Sequence, residues 1–321
     1  MFKTIHLRAQ VAVRPGMLSL CCAALIMLIV SPGALAQKTP VSGTVKAPVL
    51  QIVAAENFYG DVAHQIGGNY VQVSSILTNP NQDPHLFEAS ASTARSISNA
   101  QIVIYNGIGY DPWMERLLRV ASTRQRRLIN VASLAGHKPG DNPHIWYEIG
   151  TMTSLAQAVA TELSLQDPAH ASDYSARLAE FLNAQNSLQS TVDRLHKRYQ
   201  GLAVSATEPV FGYMAKALGL DVQHAAFQWA NMNGNEPAAS DIVRMERDIR
   251  SRRVLALFYN EQSASSSAMR MRAIAKAAGV AVLGVSETMP EGEHYQAWMG
   301  RQLANVEHSL PQPQPQPQTQ P

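Results

Sequence analysis

A long segment without a helix-breaking residue is the feature that most limits how this chain can fold. The segment runs from Pro168 to Tyr199, and it contains no glycine and no proline after its first residue. Asp167 is suited to cap a helix that begins there, since proline is favoured at the first helical position. A helix of this length spans about 45 Å, which is more than one small domain needs. We therefore predict a rigid helix over residues 167–199 that joins two lobes; the alternative is two shorter helices that meet near residues 183–186.

On both sides of this helix, the chain alternates between short apolar runs and amphipathic segments. The short runs have the length of buried strands, and the segments between them repeat apolar residues every three or four positions. Such a βαβα series is typical of a mostly parallel sheet covered by helices. The predicted fold class is therefore α/β, with two lobes (residues 49–166 and 200–310), each a mostly parallel sheet flanked by helices, joined by the one long rigid helix. We expect strands at residues 50–55, 70–77, 101–105, 127–131, 202–206, 221–226, 253–258 and 280–285. We expect further helices at residues 57–66, 89–99, 112–121, 152–163, 209–218, 238–250, 265–278 and 292–310.

The first 36 residues have the composition of a cleavable signal peptide. They carry three basic residues, no acidic residue and an apolar run from Met17 to Val30. Small residues precede Gln37, and we expect cleavage before it. The apolar run is shorter than the ~20 residues that span a bilayer, which disfavours the alternative of a membrane anchor. We therefore expect export to the periplasm.

Both cysteines of the chain, Cys21 and Cys22, lie inside this apolar run. Lipid modification of a cysteine is an alternative to simple cleavage, but Leu20 before Cys21 is bulkier than lipoprotein processing prefers. After cleavage no cysteine remains, so the mature protein is expected to have neither disulfides nor thiolate metal ligands.

The composition of the remaining chain indicates a nearly neutral globular protein. Hydrophobic residues make up 46% of the sequence, and removal of the first 36 residues leaves 23 basic and 24 acidic residues. Such a balance of charges lacks the excess of positive charge that is typical of proteins that bind nucleic acid. Residues 37–48 read as a flexible leader, and residues 311–321 alternate proline with glutamine and read as a disordered tail. We expect the protein to be a monomer.

Four potential metal ligands follow predicted strands, two in each half of the chain. In open α/β sheets, ligands bind beyond the carboxyl ends of the strands. The side chains of ligand type in these places are His85, His144, Glu208 and Glu287. Two neutral imidazoles and two carboxylates would hold a divalent cation with no net charge left over, and such a set suits manganese, zinc or iron.

Each of these residues has a simpler interpretation when it is taken alone. A histidine in a polar loop, such as His85, is usually solvated. Glu208 precedes Pro209 and could cap the following helix, and Glu287 could do the same. Their shared position after strands in both halves favours the metal site over these separate roles.

Six short segments of the chain form a recognisable combination: NQDPHLFE (81–88), AQIVIYNG (100–107), NPHIW (142–146), FGY (211–213), LGL (218–220) and YQAWM (295–299). In this combination the chain resembles the metal-binding solute receptors of bacterial ABC importers, the zinc and manganese family. The similarity covers residues 49–310.

The resemblance implies two α/β lobes with one metal ion, Zn²⁺ or Mn²⁺, bound in the cleft between them. It also implies delivery of the ion to the membrane permease of an ABC importer, powered by a separate ATPase. The family's first two ligands fall on His85 and His144. The third is a histidine in zinc-type members and often a glutamate in manganese-type members, and it falls on Glu208. The fourth falls on Glu287.

Two departures from the family pattern bear on the site. The fourth ligand is usually an aspartate followed by Pro-Leu, whereas this chain has SETMP at residues 286–290. Many zinc-type relatives carry a long histidine-rich insertion before the second ligand. In this chain the corresponding segment, residues 135–141, is short, and His137 is its single histidine. The short segment and Glu208 together favour manganese, or a mixed preference, as the metal that the site selects. Such sites nevertheless generally bind zinc more tightly than manganese.

Glu261 follows the strand that ends near Tyr259, where the family often has an acidic residue. Glu261 is a candidate to contact a metal ligand and orient it without touching the ion itself. The alternative is a surface carboxylate.

The leading functional hypothesis is a binding protein and not an enzyme, because four protein ligands leave no coordination position for an activated water. An exported metal-dependent hydrolase with the same residues is one alternative, but the sequence contains no HExxH motif. A metal scavenger or adhesin that works without a transporter is another.

Overall fold

The computed structural model describes residues 49–81, 84, 87–121, 125–263 and 265–311. Residues 1–48, which contain the predicted signal peptide and leader, His85, and residues 312–321 of the predicted tail lie outside the described residues, so the predictions about them stay predictions. Two four-stranded parallel sheets organise the described part of the chain. The predicted fold class is confirmed. None of the helices in the described ranges is long and apolar enough to cross a membrane.

The first lobe is built on a sheet with the strand order β2-β1-β3-β4. All neighbouring strands pair in parallel. The strands are β1 (Leu50–Glu56), β2 (Val71–Leu77), β3 (Ile102–Tyr105) and β4 (Arg127–Asn130). The helices are α1 (Asn57–Gly67), α2 (Ala91–Asn99), α3 (Pro112–Val120), α4 (Val131–Ala135) and α5 (Ile149–Gln166).

Local sequence accounts for the main boundaries in this lobe. The helix α1 buries Phe58, Val62 and Ile66, which recur every four residues and so share one face. Ser90 begins α2 with a capping box, because its hydroxyl accepts from the backbone N–H of Thr93 while the Thr93 hydroxyl accepts from the backbone N–H of Ser90.

The two lobes are joined by one uninterrupted helix, α6 (Ala171–Tyr199), which follows a 3-10 turn at Pro168–His170. The alternative of two shorter helices is therefore wrong. Asp167 does not cap this segment with its side chain. Its side chain accepts a hydrogen bond from the hydroxyl of Tyr174, seven residues further along, at 2.7 Å.

The second lobe repeats the topology of the first, with the strand order β6-β5-β7-β8 and parallel pairing throughout. The strands are β5 (Ala203–Ala206), β6 (Asp221–Gln223), β7 (Ala256–Asn260) and β8 (Ala281–Val285). The helices are α7 (Gly212–Ala217), α8 (Ala225–Met232), α9 (Ala239–Arg250), α10 (Ser266–Ala278) and α11 (Tyr295–Ser309). The helix α6 packs against α1 and α5 of the first lobe and against α11 of the second.

The helix α8 differs from the sequence prediction, which extended the strand at residues 221–226. His224 adopts a left-handed backbone conformation with φ of 63°, which ends the strand and starts the helix. Its ring is held on both sides, by Ser205 Oγ at 3.0 Å from Nδ1 and by Asp248 Oδ2 at 3.2 Å from Nε2. Side-chain contacts from distant strands and helices therefore decide this boundary.

A row of aromatic side chains connects the cores of the two lobes. The ring of Phe58 in α1 lies 4.7 Å from Trp146 and 5.9 Å from Trp298 in α11. Tyr147 lies 5.7 Å from Trp298 and 5.2 Å from Phe211. All five side chains are at most 2% exposed. The lobes therefore share one hydrophobic core behind the carboxyl ends of the strands.

Trp298→Ala should destabilise the whole protein, because it removes a buried side chain of α11 that packs on Phe58 and Tyr147 of the first lobe. We expect the free energy of unfolding to fall by about 3–5 kcal/mol, measured by chemical denaturation. Leu165→Ala is the matched control on α5, since Leu165 is 66% exposed. An effect of Trp298→Ala no larger than that of the control would contradict the role of the shared core.

Candidate metal site

The imidazole of His144 is fully buried and is oriented by its neighbour Asn142. The amide nitrogen of Asn142 donates to the backbone carbonyl of Pro209 at 2.7 Å. Because a carbonyl can only accept, the amide oxygen must be the atom that lies 2.7 Å from His144 Nδ1. Nδ1 therefore carries the proton. The other ring nitrogen, Nε2, is then the one that can bind a metal ion.

Asn142 also ties together the loops that carry two of the predicted ligands. Pro209, which accepts from its amide, directly follows Glu208 in the second lobe. The hydroxyl of Tyr213, also in the second lobe, donates to the backbone carbonyl of Asn142 at 2.8 Å. The position of His144 is thus fixed relative to Glu208 across the two lobes.

The carboxylates of Glu208 and Glu287 meet at one amide group. Glu208 lies two residues beyond β5 and Glu287 two residues beyond β8, and both side chains are buried. The strand between β5 and β8 in the sheet is β7, which ends in Asn260. The Asn260 amide nitrogen donates to Glu208 Oε2 at 2.7 Å and to Glu287 Oε1 at 2.6 Å. The strand order therefore explains why these three residues converge.

The second oxygen of Glu287 faces the imidazole of the first lobe. Glu287 Oε2 lies 3.3 Å from His144 Nε2, and both side chains are fully buried. Burial raises the pKa of Glu208, and the negative charge of Glu287 adds to this effect. Hydrogen bonds from Ser263 and Asn260, and the nearby His144, act in the opposite direction. A divalent cation would relieve the repulsion between the two carboxylates.

The loop that carries Glu287 is fixed from both lobes. The side-chain oxygen of Gln262 accepts from the backbone N–H of Glu287 at 2.6 Å, and its amide nitrogen donates to the Thr288 hydroxyl at 3.0 Å. From the first lobe, Asn57 at the start of α1 forms a two-way amide pair with Met289, donating at 2.6 Å and accepting at 3.1 Å. The fourth predicted ligand therefore sits on a well-anchored loop, although the sequence there departs from the family pattern.

The structure thus brings together three of the four predicted ligands, His144, Glu208 and Glu287. His85 lies outside the described residues, and its assignment stays a prediction. Among the residues that the structure describes, no group of three or more His, Cys, Asp or Glu side chains is arranged so that it could hold a metal ion by itself.

Glu261, the candidate orienting residue, is exposed, and its carboxylate lies beside Gly284 of β8. The contacts to the two carboxylates come from its neighbour Asn260. The sequence does not single out Asn260, Asn142 and Gln262, because amides are not among the side chains that usually bind metal ions. The position of Asn260 at a strand end was the available signal.

A second pair of acidic side chains, Glu56 and Asp111, is buried in the first lobe, and each residue is 1% exposed. The two oxygens of Asp111 accept from the backbone N–H groups of Asn106 and Gly107 at 2.7 and 2.8 Å. Burial nevertheless raises the pKa of Asp111 to about 7. Burial and then the charge of Asp111 raise the pKa of Glu56 well above its usual range. The backbone N–H groups of Asn106 and Gly107 lower the pKa of Asp111 against the effect of burial, whereas Glu56 also feels the charge of its acidic neighbour.

Comparisons with known proteins agree with the two-lobed architecture. A family model described as the periplasmic component A of the zinc-uptake complex (ZnuA) matches residues 52–309. A solved structure, the periplasmic zinc-binding protein TroA from Treponema pallidum, superposes with a TM-score of 0.69 at 18% identity. The match covers 82% of this chain and 99% of that chain, and it shows that the fold is the same.

Two curated relatives are similar in sequence over most of their length. The metal ABC transporter substrate-binding lipoprotein ScbA from Streptococcus cristatus is 23% identical over 282 residues, which cover 81% of this chain and 89% of ScbA. The manganese ABC transporter substrate-binding lipoprotein PsaA from Streptococcus pneumoniae is 23% identical over 288 residues, which cover 83% of this chain and 91% of PsaA.

The buried acidic pair should make stability depend on pH. A carboxyl whose pKa is raised in the folded state stabilises that state at low pH, and this contribution is lost as the pH rises through the folded-state pKa. Glu56→Gln keeps the shape of the protonated side chain but cannot ionise. The free energy of unfolding of this variant, relative to the original protein, should therefore increase as the pH rises from about 4.3, the usual pKa of a glutamic acid, through the raised pKa of Glu56 in the folded state. Denaturation at several pH values measures it, with the exposed Glu180→Gln as control. A difference that stays constant with pH would contradict the assignment.

Proposed function

We propose that this chain, which belongs to the periplasmic zinc-uptake complex component A family, captures one divalent transition-metal ion between its two lobes. The family comprises metal-binding, substrate-binding components of ABC metal uptake systems. The observation that carries the proposal is the meeting of His144 Nε2 from the first lobe with Glu287 Oε2 from the second at 3.3 Å. Glu208 joins them through Asn260.

In this proposal the ion is bound by His85, His144, Glu208 and Glu287. His144 supplies a neutral imidazole whose proton is held on Nδ1 by Asn142. The two glutamates supply oxygen, and His85 supplies a second imidazole. This donor set is neutral once a divalent ion is bound, and it suits Zn²⁺ and Mn²⁺. The curated and solved relatives described above are named for zinc, manganese or metal in general.

We further propose that the chain delivers its ion to the membrane permease of an ABC importer, whose ATPase is a separate protein. The names of ScbA and PsaA, both substrate-binding lipoproteins of ABC transporters, support this role. The chain itself would carry out no chemical reaction, since four protein ligands leave no position for an activated water. Turnover of an ester or peptide that tracks metal loading would overturn this part of the proposal.

Export would place the protein where it meets its cargo. We propose a signal peptide cleaved before Gln37, with lipid attachment at Cys21 or Cys22 as the alternative that the lipoprotein relatives make relevant. Mass spectrometry of the N-terminus of protein from its native compartment distinguishes the two. A peptide beginning at Gln37 supports cleavage, and a lipidated cysteine would replace it.

Loss of either histidine should abolish tight metal binding. We expect the original protein to bind one ion per chain, and metal at a free concentration of 100 Kd should stabilise it by about 2.7 kcal/mol. His85→Ala and His144→Ala should each lose both effects, measured by metal titration and by thermal unfolding with and without metal. The control is His64→Ala, because His64 is exposed on α1. Unchanged affinity in both ligand variants would refute the site.

Glu208→His should shift the metal preference toward zinc. The substitution replaces a carboxylate with an imidazole, which zinc favours more strongly than manganese does. We expect the ratio of zinc to manganese affinity to rise by about tenfold or more, or ~1.4 kcal/mol, in competition titrations. Glu208→Gln is the control, since it removes the charge without adding an imidazole, and it should weaken both ions. An unchanged ratio in Glu208→His would mean that Glu208 does not touch the ion.

A further inference from the structure

Asn260 is placed to control how the two carboxylates of the site bind their ion. It is 6% exposed and ends β7, between the strands that lead to Glu208 and Glu287. We propose that Asn260 holds one oxygen of each carboxylate, so that each glutamate binds with a single oxygen and the site prefers four-coordinate ions such as Zn²⁺ over Mn²⁺. This inference rests on the metal-capture function proposed above.

The orientation of the Asn260 amide follows from its other contacts. Its side-chain oxygen accepts from the backbone N–H of Gln262 at 3.0 Å, so its nitrogen must face the carboxylates. Its own backbone N–H donates to the Thr207 hydroxyl at 3.2 Å, which anchors the residue beside β5. The amide therefore cannot flip without losing the bond to Gln262.

The two hydrogens of the amide nitrogen match the two carboxylates. One hydrogen is directed to Glu208 Oε2 at 2.7 Å and the other to Glu287 Oε1 at 2.6 Å. Hydrogen bonds to ionised acceptors are short and strong, and both distances are in that range. Each carboxylate thus has one oxygen committed to the same neutral donor.

Glu287 shows the consequence most clearly. Its Oε1 is the oxygen bonded to Asn260, whereas its Oε2 lies 3.3 Å from His144 Nε2. An ion bound by the imidazole is therefore next to Oε2. Binding through both oxygens would place the cation on the oxygen that already accepts from Asn260, where it would compete with that hydrogen bond for the lone pairs of the oxygen. Glu208 is restrained in the same way, by Asn260 and by a hydrogen bond with Ser263.

Zn²⁺ and Mn²⁺ differ in how well they bind to carboxylates that offer one oxygen each. Zn²⁺ is satisfied by four ligands in tetrahedral geometry, and one oxygen from each carboxylate with two imidazoles completes that set. Mn²⁺ favours octahedral, oxygen-rich coordination, which in this site would need second carboxylate oxygens or water. The presence of two glutamate ligands by itself favours manganese. The restraint of their oxygens by the Asn260 amide favours zinc.

A simpler role for Asn260 would be to offset the repulsion between two buried carboxylates. In that case its removal would weaken every divalent ion by the same factor and leave the coordination number unchanged. The two roles therefore predict different outcomes, and metal preference separates them.

The test is competition titration of Zn²⁺ and Mn²⁺ against chelators for the purified protein and its Asn260→Ala variant. We expect the variant to lose zinc affinity while manganese affinity falls less or rises, so that the affinity ratio shifts toward manganese by about tenfold, or ~1.4 kcal/mol. Equal changes for both ions, or no change, would overturn the inference.

Cobalt provides a second readout that a merely structural role would not move. Co²⁺ absorbs visible light strongly in four-coordinate sites and weakly in six-coordinate sites. The original protein loaded with Co²⁺ should show the strong bands, and Asn260→Ala should show weaker ones. Identical spectra at full loading would also overturn the inference.

Two further variants keep the result interpretable. Gln228→Ala is the matched control, because Gln228 is a buried amide of the same lobe whose side chain donates to the Gln223 carbonyl at 2.6 Å. It should leave the affinity ratio unchanged. Asn260→Leu keeps the approximate size of the side chain without its donor, and it should shift the ratio in the same direction if the alanine variant does not fold. If the original protein bound no metal through His144, the proposed function itself would fail; if it did so with an unchanged ratio in the Asn260 variants, only this inference would fail.

Discussion

The main physical constraint on the site is that two carboxylates are buried next to each other. Glu208 and Glu287 are 5% and 1% exposed, so water cannot offset their repulsion. Two groups lie against the carboxylates: the Asn260 amide donates one hydrogen to each of them, and the imidazole of His144 from the other lobe lies beside Glu287. The strand order β5-β7-β8 places this amide between the two acids. In the proposed function, a divalent cation would complete this arrangement and offset the two negative charges.

Neutral amides, and not charged side chains, fix the loops around the site. Asn142 links His144 to the backbone beside Glu208, and Asn57 links α1 to the backbone beside Glu287. Both contacts connect one lobe to the other. Since an amide both donates and accepts without adding charge, these contacts position the ligands while the negative charge stays available to the ion. The shared aromatic core behind the site supports the same relative placement of the lobes.

The sequence predicted the elements well but the contacts between them poorly. Apolar runs and helical periods identified the strands, the single helix α6 and the position of Glu208 and Glu287 after strand ends. Strand order cannot be read from local periodicity, so the place of Asn260 between the two acids became visible only in the fold. His224 shows the same limit, because its left-handed backbone is held by Ser205 and Asp248, which are distant in sequence. Residue-type searches favour His, Asp and Glu, and they overlook the amides that orient them.

The most direct test of the account is anomalous diffraction from crystals of the protein grown with zinc. We predict one strong anomalous peak between the lobes, about 2.0–2.2 Å from His144 Nε2 and from one oxygen each of Glu208 and Glu287. Their other oxygens should remain bonded to Asn260, and His85 should supply the fourth ligand. An ion bound by side chains of one lobe alone, or a peak away from His144, would contradict the central claim that one ion is held between the two lobes.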